Sequence, residues 1–312
     1  MRLLCLAPTP SLDRFIEVDR VAPGLIHRPS SVTVVPGGKG LNLARSAAAL
    51  GADVTVVGIL SGNSGRWIAE TLTTYGVHGD FVWSEGETRS CLSIYERERG
   101  VLTEFYEPAG LIGSDDWERF RLLVRGHSAH SSVVAASGSL PPGAPVDGYA
   151  QISSLLNDQG VRFLLDTHGK PLKEALRTQP WLVKVNRDEA IEIVGSGDGA
   201  SLARALVEQG AGSAVVTLGA EGAAVSSREG DWLVDPVQMP GKYPVGSGDA
   251  FLAGMAVRVL AGGSLPDAAR DGAAAAAANA VQPGPGILHR DDVERFHRET
   301  NVRRCAAAKL TG

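Results

Sequence analysis

A chain of 312 residues with 44% hydrophobic content can bury a large core, and its length allows one large domain or two. Its net charge of −5, with no block of Lys and Arg, gives no electrostatic footprint for nucleic acid, and no apolar run approaches the roughly 20 residues of a membrane span. Cys5, Cys91 and Cys305 are odd in number and far apart, which fits neither a disulfide framework nor a CxxC metal site; with no secretory segment in Met1–Ala7, the chain reads as cytoplasmic.

Along the chain, Leu3–Ala7 is expected as a buried strand stopped by Pro8 and Pro10. Phe15–Val21 and Ser31–Val35 read as β segments around a turn at Pro23-Gly24. A Gly-rich loop, Val35-Pro-Gly-Gly-Lys-Gly40, then feeds a helix running to Leu50, and Asp53–Ile59 is a strand. Arg89–Tyr95 and Val101–Tyr106 flank Glu96–Gly100 as a hairpin. These β segments interrupt the helix–strand alternation and are candidates for a small sheet apart from the main body.

Beyond Leu111 the alternation is regular. Helices are expected at Trp117–Arg125, Val146–Asn157, Leu172–Leu176, Arg187–Val194, Ser201–Gln209 and after Gly248. Strands are expected at Ser132–Ser137, Arg162–Asp166, Trp181–Val185, Ala214–Leu218 and through Ala223–Val234. Such alternation predicts a parallel sheet with helices on its faces and ligands at the carboxyl ends of the strands. The turns Gly138–Gly143, Asp166–Gly169, Asn186–Glu189 and Gly219–Gly222 fall at those ends. Gly272–Ala280 reads as a small-residue helix made for tight packing, and Asp291–Leu310 as an amphipathic helix closing the chain.

The chemistry centres on Tyr243-Pro-Val-Gly-Ser-Gly-Asp249 and the apolar segment behind it. Gly246, Ser247 and Gly248 can turn backbone N–H groups toward one point, and a helix opening at about Asp249 adds its positive end there, which makes an anion site. Asp249 then lies beside a held phosphoryl group, where a carboxylate can accept the proton of an attacking hydroxyl. The plain competitor is a Gly-rich turn with an Asp cap. Gly195-Ser-Gly-Asp-Gly-Ala200 has dinucleotide-fingerprint spacing but follows a helical pattern rather than a strand, and no Walker P-loop occurs.

With these motifs in view, the chain resembles the ribokinase family (PfkB) of carbohydrate kinases over essentially its whole length. Gly37-Gly38-Lys39-Gly40-Leu41-Asn42 resembles the family's first signature and Val245-Gly-Ser-Gly-Asp249 its second, about two hundred residues later, with Asn186-x-x-Glu189 and Thr217-Leu-Gly-x-x-Gly222 between them. Ala7–Asp13, Gly86-Glu-Thr-Arg89 and Ser137-Gly-Ser139-Leu-Pro-Pro-Gly143 resemble its phosphosugar-kinase branch. The resemblance implies one ribokinase-like domain over residues 1–312, a three-layer α/β/α sandwich with a mainly parallel sheet and a β lid formed by about 13–35 and 88–107.

By the same resemblance, Asp249 would be the base and Gly246, Ser247 and Gly248 the anion hole. Asp13, Gly38, Lys39, Asn42 and Ser139 would hold the sugar, and Arg89 the phosphate it already carries. Thr217, Gly219 and Gly222 would meet the ATP phosphates, Lys184 and Asn279 would lie near the nucleoside, and Asn186 and Glu189 would organise Mg²⁺ through water. ATP, Mg²⁺ and a monovalent cation are the implied cofactors. The implied partner is a small sugar phosphate, fructose 1-phosphate first, with tagatose 6-phosphate or fructose 6-phosphate next; neither nucleic acid nor membrane is implied, and a homodimer would form through the lid.

Plain readings stand beside these. Asp13 fits a turn, Arg89 a surface charge, Asn186 with Glu189 a capping box, and Asp166 with His168 a turn. Ser247 stands where the family has Ala, Thr9 where Asn is common, Val185 where Pro usually follows the Lys, and Cys91 where the branch has Asn; Leu25 and His27 replace more polar lid residues. The substrate-facing changes leave open a kinase for an unphosphorylated sugar or nucleoside, or a sugar-phosphate-binding regulator.

Overall fold

The computed structural model describes residues 2–238 and 241–305. The chain opens with β1 (Arg2–Ala7), β2 (Ser11–Val18), β3 (Ser31–Gly37), α1 (Lys39–Ala49), β4 (Asp53–Ser61), α2 (Gly62–Leu72) and β5 (Val77–Ser84). Next come the hairpin β6 (Ser90–Glu96) and β7 (Val101–Tyr106), then α3 (Ser114–Ser128), β8 (Ser131–Ser137), α4 (Gly148–Asp158), β9 (Arg162–Asp166) and α5 (Gly169–Leu176). The remainder is β10 (Leu182–Asn186), α6 (Arg187–Val194), α7 (Gly199–Glu208), β11 (Ser213–Thr217), β12 (Ala223–Ser227), β13 (Gly230–Val234), α8 (Ser247–Leu260), α9 (Leu265–Ala280), α10 (Arg290–Glu299) and β14 (Val302–Arg304).

The large sheet runs β14-β13-β12-β11-β10-β9-β8-β1-β4-β5. From β11 to β5 every pairing is parallel, and β12, β13 and β14 add antiparallel strands at one edge. Both faces are covered, so the central strands are apolar throughout rather than alternating. In β1, Leu3, Cys5 and Ala7 pack toward α1, α8 and α9, while Leu4 and Leu6 pack toward α3 and α4. Val183, Val185, Ala214 and Val216 continue that second face beneath α5, α6 and α7. This is the expected α/β/α sandwich.

The second sheet, β3-β2-β6-β7, stands apart as expected from its sequence. β2 begins at Ser11 rather than Phe15, so Asp13 is a strand residue facing inward with Phe15 and Glu17, not a turn residue. The sheet is tied to the body by Tyr243, whose ring packs edge-on to Phe15 at 5.6 Å and Tyr95 at 5.2 Å while its hydroxyl donates to Glu17 at 2.9 Å.

The end of the chain differs from expectation. The amphipathic helix stops at Glu299 instead of running to Leu310. Thr300 leaves the helical region, its hydroxyl donating back to the Phe296 carbonyl at 2.7 Å, and Arg270 Nε takes the Thr300 carbonyl at 2.8 Å. Val302–Arg304 then pairs with β13, whose edge would otherwise be bare. Residues 306–310, the rest of the expected helix, lie outside the described residues, as do 311–312.

Where α8 crosses α9, Gly254 and Gly272 bring the backbones together: a Cβ on Gly254 would stand 2.5 Å from the Asp271 carbonyl, and one on Gly272 2.8 Å from the Phe251 carbonyl. Gly254→Ala should therefore destabilise the protein by about 1–3 kcal/mol through overpacking, although Ala is the better helix former by up to about 1 kcal/mol. An unchanged or raised urea midpoint would show that the helices separate at no cost.

Candidate active site

β1 is the pivot of the large sheet: β4 and β5 lie to one side of it and β8 to β11 to the other. The crevice of an open α/β sheet opens where strand order reverses. Two helices begin at this crevice. α1 is preceded by Gly38 (φ 82°) and α8 by Gly246 (φ 81°), both left-handed. A Cβ would stand 2.8 Å from the Thr9 carbonyl at Gly38 and 2.9 Å from the Gly286 nitrogen at Gly246, so glycine is required at both.

Asp249, on the first turn of α8, is 4% exposed. Its Oδ1 accepts from Ser137 Oγ and its Oδ2 from Asn42 Nδ2, each at 3.0 Å. Burial pushes its carboxyl up from the ordinary 3.8 to about 6; the nearby Lys39 and Lys184 ammonium groups limit the rise, and the Asp166 carboxylate adds to it. The result is a carboxylate poised near neutrality, which suits a general base.

Beside it lies a charged triad. Lys184 Nζ donates to Asp166 Oδ2 at 2.5 Å and Lys39 Nζ to Asp166 Oδ1 at 3.4 Å. Burial raises the Asp166 carboxyl, but the two ammonium groups outweigh burial and hold it below its usual range. Lys184 Nζ comes within 3.2 Å of where a Gly248 Cβ would be, so this ammonium faces the opening turn of α8. There the N–H of Ser247 is taken by the Pro244 carbonyl at 3.1 Å. Among the described residues no backbone carbonyl accepts from the N–H of Gly246 or Gly248, which leaves both donors available to a ligand.

Asn279, expected by the nucleoside, is fully buried and braces this loop from behind: its amide donates to the Val245 carbonyl at 2.8 Å and Ser247 Oγ at 3.3 Å. In front, a cavity of about 480 Å³ opens between Thr217, Gly219 and Gly222, the Pro236-Val237 segment, Ser247-Gly248, and Ala273, Ala276, Ala277 and Ala280 of α9. The small residues of α9 therefore serve twice, packing on one face and walling a pocket on the other. Asn186 and Glu189 form the capping box at the start of α6, each side chain meeting the other's backbone N–H, at 2.9 and 2.8 Å. The Glu189 charge also acts on Lys39.

Across the crevice, Asp13 Oδ1 accepts from Ser11 Oγ at 2.5 Å and Oδ2 from the Gly38 N–H at 3.3 Å. Burial raises its carboxyl. A Cβ on Gly37 would sit 1.9 Å from Asp13 Cγ, which explains the paired glycines of that loop. Cys91 lies opposite Asp13 in the small sheet. Arg89 donates from Nη1 to the Glu107 carbonyl at 3.3 Å, its buried Nε has no partner among the described residues, and its charge acts on Asp13. Ser139 is exposed, its carbonyl held by Thr9 Oγ1 at 2.9 Å.

Sequence reasoning missed three participants. Ser137 stands within a motif but carries no expected role, and Asp166 reads as a turn residue although it ends β9. Arg45 was not noted, yet an arginine among Leu43, Ala44, Ser46 and Ala47 on a buried helix was a visible signal.

The profile of the pfkB family carbohydrate kinases matches residues 9–291. The chain is 33% identical over 270 residues to 1-phosphofructokinase of Xanthomonas campestris pv. campestris, covering 83% of this chain and 85% of that protein. It is 29% identical over 309 residues to tagatose-6-phosphate kinase of Staphylococcus epidermidis, covering 96% and 99%. Among solved structures, phosphofructokinase-2 from Escherichia coli superposes with a TM-score of 0.89 in complex with substrates and products, at 27% identity and 96% and 99% coverage. Its potassium complex gives a TM-score of 0.87 at 28% identity, with 96% and 98% coverage.

Asp249 also makes a stability prediction. A carboxyl raised from 3.8 to about 6 on folding is protonated more readily folded than unfolded. Its contribution is intact below about pH 4 and declines as pH rises through about 6, by roughly 3 kcal/mol in all. Asp249→Asn should therefore raise the unfolding free energy at about pH 8 by roughly 1–3 kcal/mol in urea titrations. A variant no more stable than the parent would show that the ionised carboxylate carries no such cost.

Proposed function

This chain belongs to the pfkB family of carbohydrate kinases, and on that footing we propose that it transfers the γ-phosphoryl group of ATP to a hydroxyl of a sugar phosphate. Fructose 1-phosphate is the first candidate, with tagatose 6-phosphate or fructose 6-phosphate next. The observation that carries the reading is Asp249: a carboxylate 4% exposed, held by two donors, at the first turn of a helix faced by Lys184, where burial pushes it up to about 6.

ATP occupies the cavity of about 480 Å³, its phosphates running from the Thr217, Gly219 and Gly222 turn toward the start of α8. The acceptor sugar lies against Asp13, Gly38, Lys39, Asn42 and Ser139, with one hydroxyl at Asp249. As the hydroxyl oxygen bonds to the γ-phosphorus, the bond from phosphorus to the leaving oxygen of ADP breaks and the hydroxyl proton passes to Asp249. Charge on the transferred group is met by the N–H groups of Gly246 and Gly248 and by the Lys39 and Lys184 ammonium groups. Arg89, whose Nε has no hydrogen-bond partner among the described residues, holds the phosphate the sugar brings.

Asn186 and Glu189 offer oxygen donors, which suit Mg²⁺; because the capping box occupies them in part, they fit a hydrated ion. When bound, Mg²⁺ neutralises charge on the β and γ oxygens of ATP. A monovalent cation belongs to the same proposal, supported by the potassium complex of the Escherichia coli relative. The homodimer is supported by the outer face of the small sheet, where Ile16, Val32, Leu92, Ile94 and Phe105 are neighbours across the strands, with Val32 53% and Phe105 58% exposed. No helix among the described residues is long and apolar enough to cross a membrane.

A kinase for an unphosphorylated sugar is the second reading, favoured by the bond from Arg89 to the Glu107 carbonyl and by Cys91 beside Asp13. ADP release with Mg-ATP decides between them. Fructose 1-phosphate, fructose 6-phosphate or tagatose 6-phosphate should outpace free fructose and ribose, and Asp249→Asn should lose about 10²–10⁴-fold in turnover. A charge-assisted bond is worth roughly 1.5–3 kcal/mol, so Arg89→Ala should weaken use of the sugar phosphate by about ten- to a hundredfold with ATP binding unchanged. Preference for a free sugar would overturn the substrate class, and near-parental turnover of Asp249→Asn would overturn the base.

A further inference from the structure

We infer that Arg45 is a positioning residue for phosphoryl transfer: one buried guanidinium ties Asn42, which aims at the base, to the Pro285-Gly286 turn, which supports the anion loop. Arg45 is 1% exposed. Its Nη2 donates to Asn42 Oδ1 at 3.0 Å and to the Pro285 carbonyl at 2.6 Å, and its Nη1 reaches the Gly286 carbonyl at 3.4 Å. The guanidinium lies 5.2 Å from the centre of the Tyr75 ring.

Two short chains lead from it. In the first, Arg45 occupies the oxygen of the Asn42 amide, so the amide cannot flip, and its nitrogen must face Asp249 Oδ2. In the second, the Gly286 N–H donates to Asn279 Oδ1 at 2.8 Å, and the Asn279 amide holds Val245 and Ser247 of the loop preceding Asp249. The contacts are close enough that a Cβ on Gly286 would stand 2.9 Å from Arg45 Nη2. A buried cation is costly to desolvate, and an apolar side chain of similar volume is often as good for stability. What an apolar residue cannot do is face three acceptors on two separate segments at once, and that is the task this position sets.

The inference rests on Asp249 as the base. The charged groups facing Asp249 are Lys39 and Arg45 from α1, Asp166 from the end of β9 and Lys184 from β10; β8 presents the neutral Ser137. Replacing Arg45 alone leaves the others in place. It removes a cation and frees the Asn42 amide, and both changes disfavour ionised Asp249.

The test is the pH dependence of kcat for Arg45→Met and Arg45→Lys, measured with Mg-ATP and the best sugar phosphate beside Asp249→Asn. Arg45→Met should lose about 10- to 100-fold in kcat, keep both KM values within about threefold and move the acid limb to higher pH, with partial recovery in Arg45→Lys. Parental kcat, or a fall in kcat with an unmoved limb, would overturn the role; the second result would mean Arg45 only fills space. If circular dichroism shows Arg45→Met unfolded, Arg45→Lys is judged by the same limb and kcat. An inactive Asp249→Asn together with a parental Arg45→Met sinks this inference alone, whereas an active Asp249→Asn sinks the assignment beneath it.

Discussion

The constraint on which the site depends is the burial of one carboxylate where two helices begin. Asp249 is 4% exposed, and an ionised group so placed is costly unless donors meet it. The fold supplies two, Ser137 from the end of β8 and Asn42 from α1, and it can do so only because β1 and β8 are neighbours at the reversal of strand order. To bring the start of α1 and the start of α8 to the same carboxylate, the chain must enter both helices through a left-handed residue pressed against backbone. Gly38 and Gly246 follow from that requirement.

The same economy governs the charges around it. Two ammonium groups this close would repel each other, and Asp166 between them holds both in place. The triad keeps one net positive charge beside Asp249, which restrains the rise of its carboxyl without abolishing it. The result is a carboxylate ionised at neutral pH yet basic enough to take a proton, as the proposed base requires. The small sheet is coupled to this centre through Tyr243, three residues before Gly246, so the sheet proposed to cover the sugar and the loop proposed to meet the phosphoryl group share a contact.

Much of this was legible in the sequence, and the exceptions have physical reasons. Strands buried on both faces, such as β1 and β8, announce themselves as continuous apolar runs, and the glycine loops mark the helix starts. α2 was silent because it opens with Gly-Asn-Ser-Gly, which reads as a turn; the side chain that satisfies its first N–H groups is Glu87, accepting from Asn63 at 3.1 Å and Ser64 at 2.5 Å from a distant loop. β5 is an edge strand with a mixed, partly exposed pattern, and β14 exists only because β13 needs a partner. In the site, Asp249, Asn42, Asp13 and Lys39 could be named from motifs. Ser137 and Asp166 act through contacts with residues far along the chain, Asp249 and Lys39, which local pattern does not show; Arg45 is visible as a charge on an apolar helix, but its partners at Pro285 and Gly286 are not.

Asp249 is the proposed base, and its two donors, Ser137 and Asn42, would keep it ionised. The most direct measurement is the pH profile of kcat/KM for the parent and Ser137→Ala. Loss of a donor to the charged form raises a carboxyl, so the acid limb, expected near about pH 6 in the parent, should move to higher pH in the variant. A limb at the same pH in both proteins would assign it to the phosphate groups of the substrates and contradict the role of Asp249.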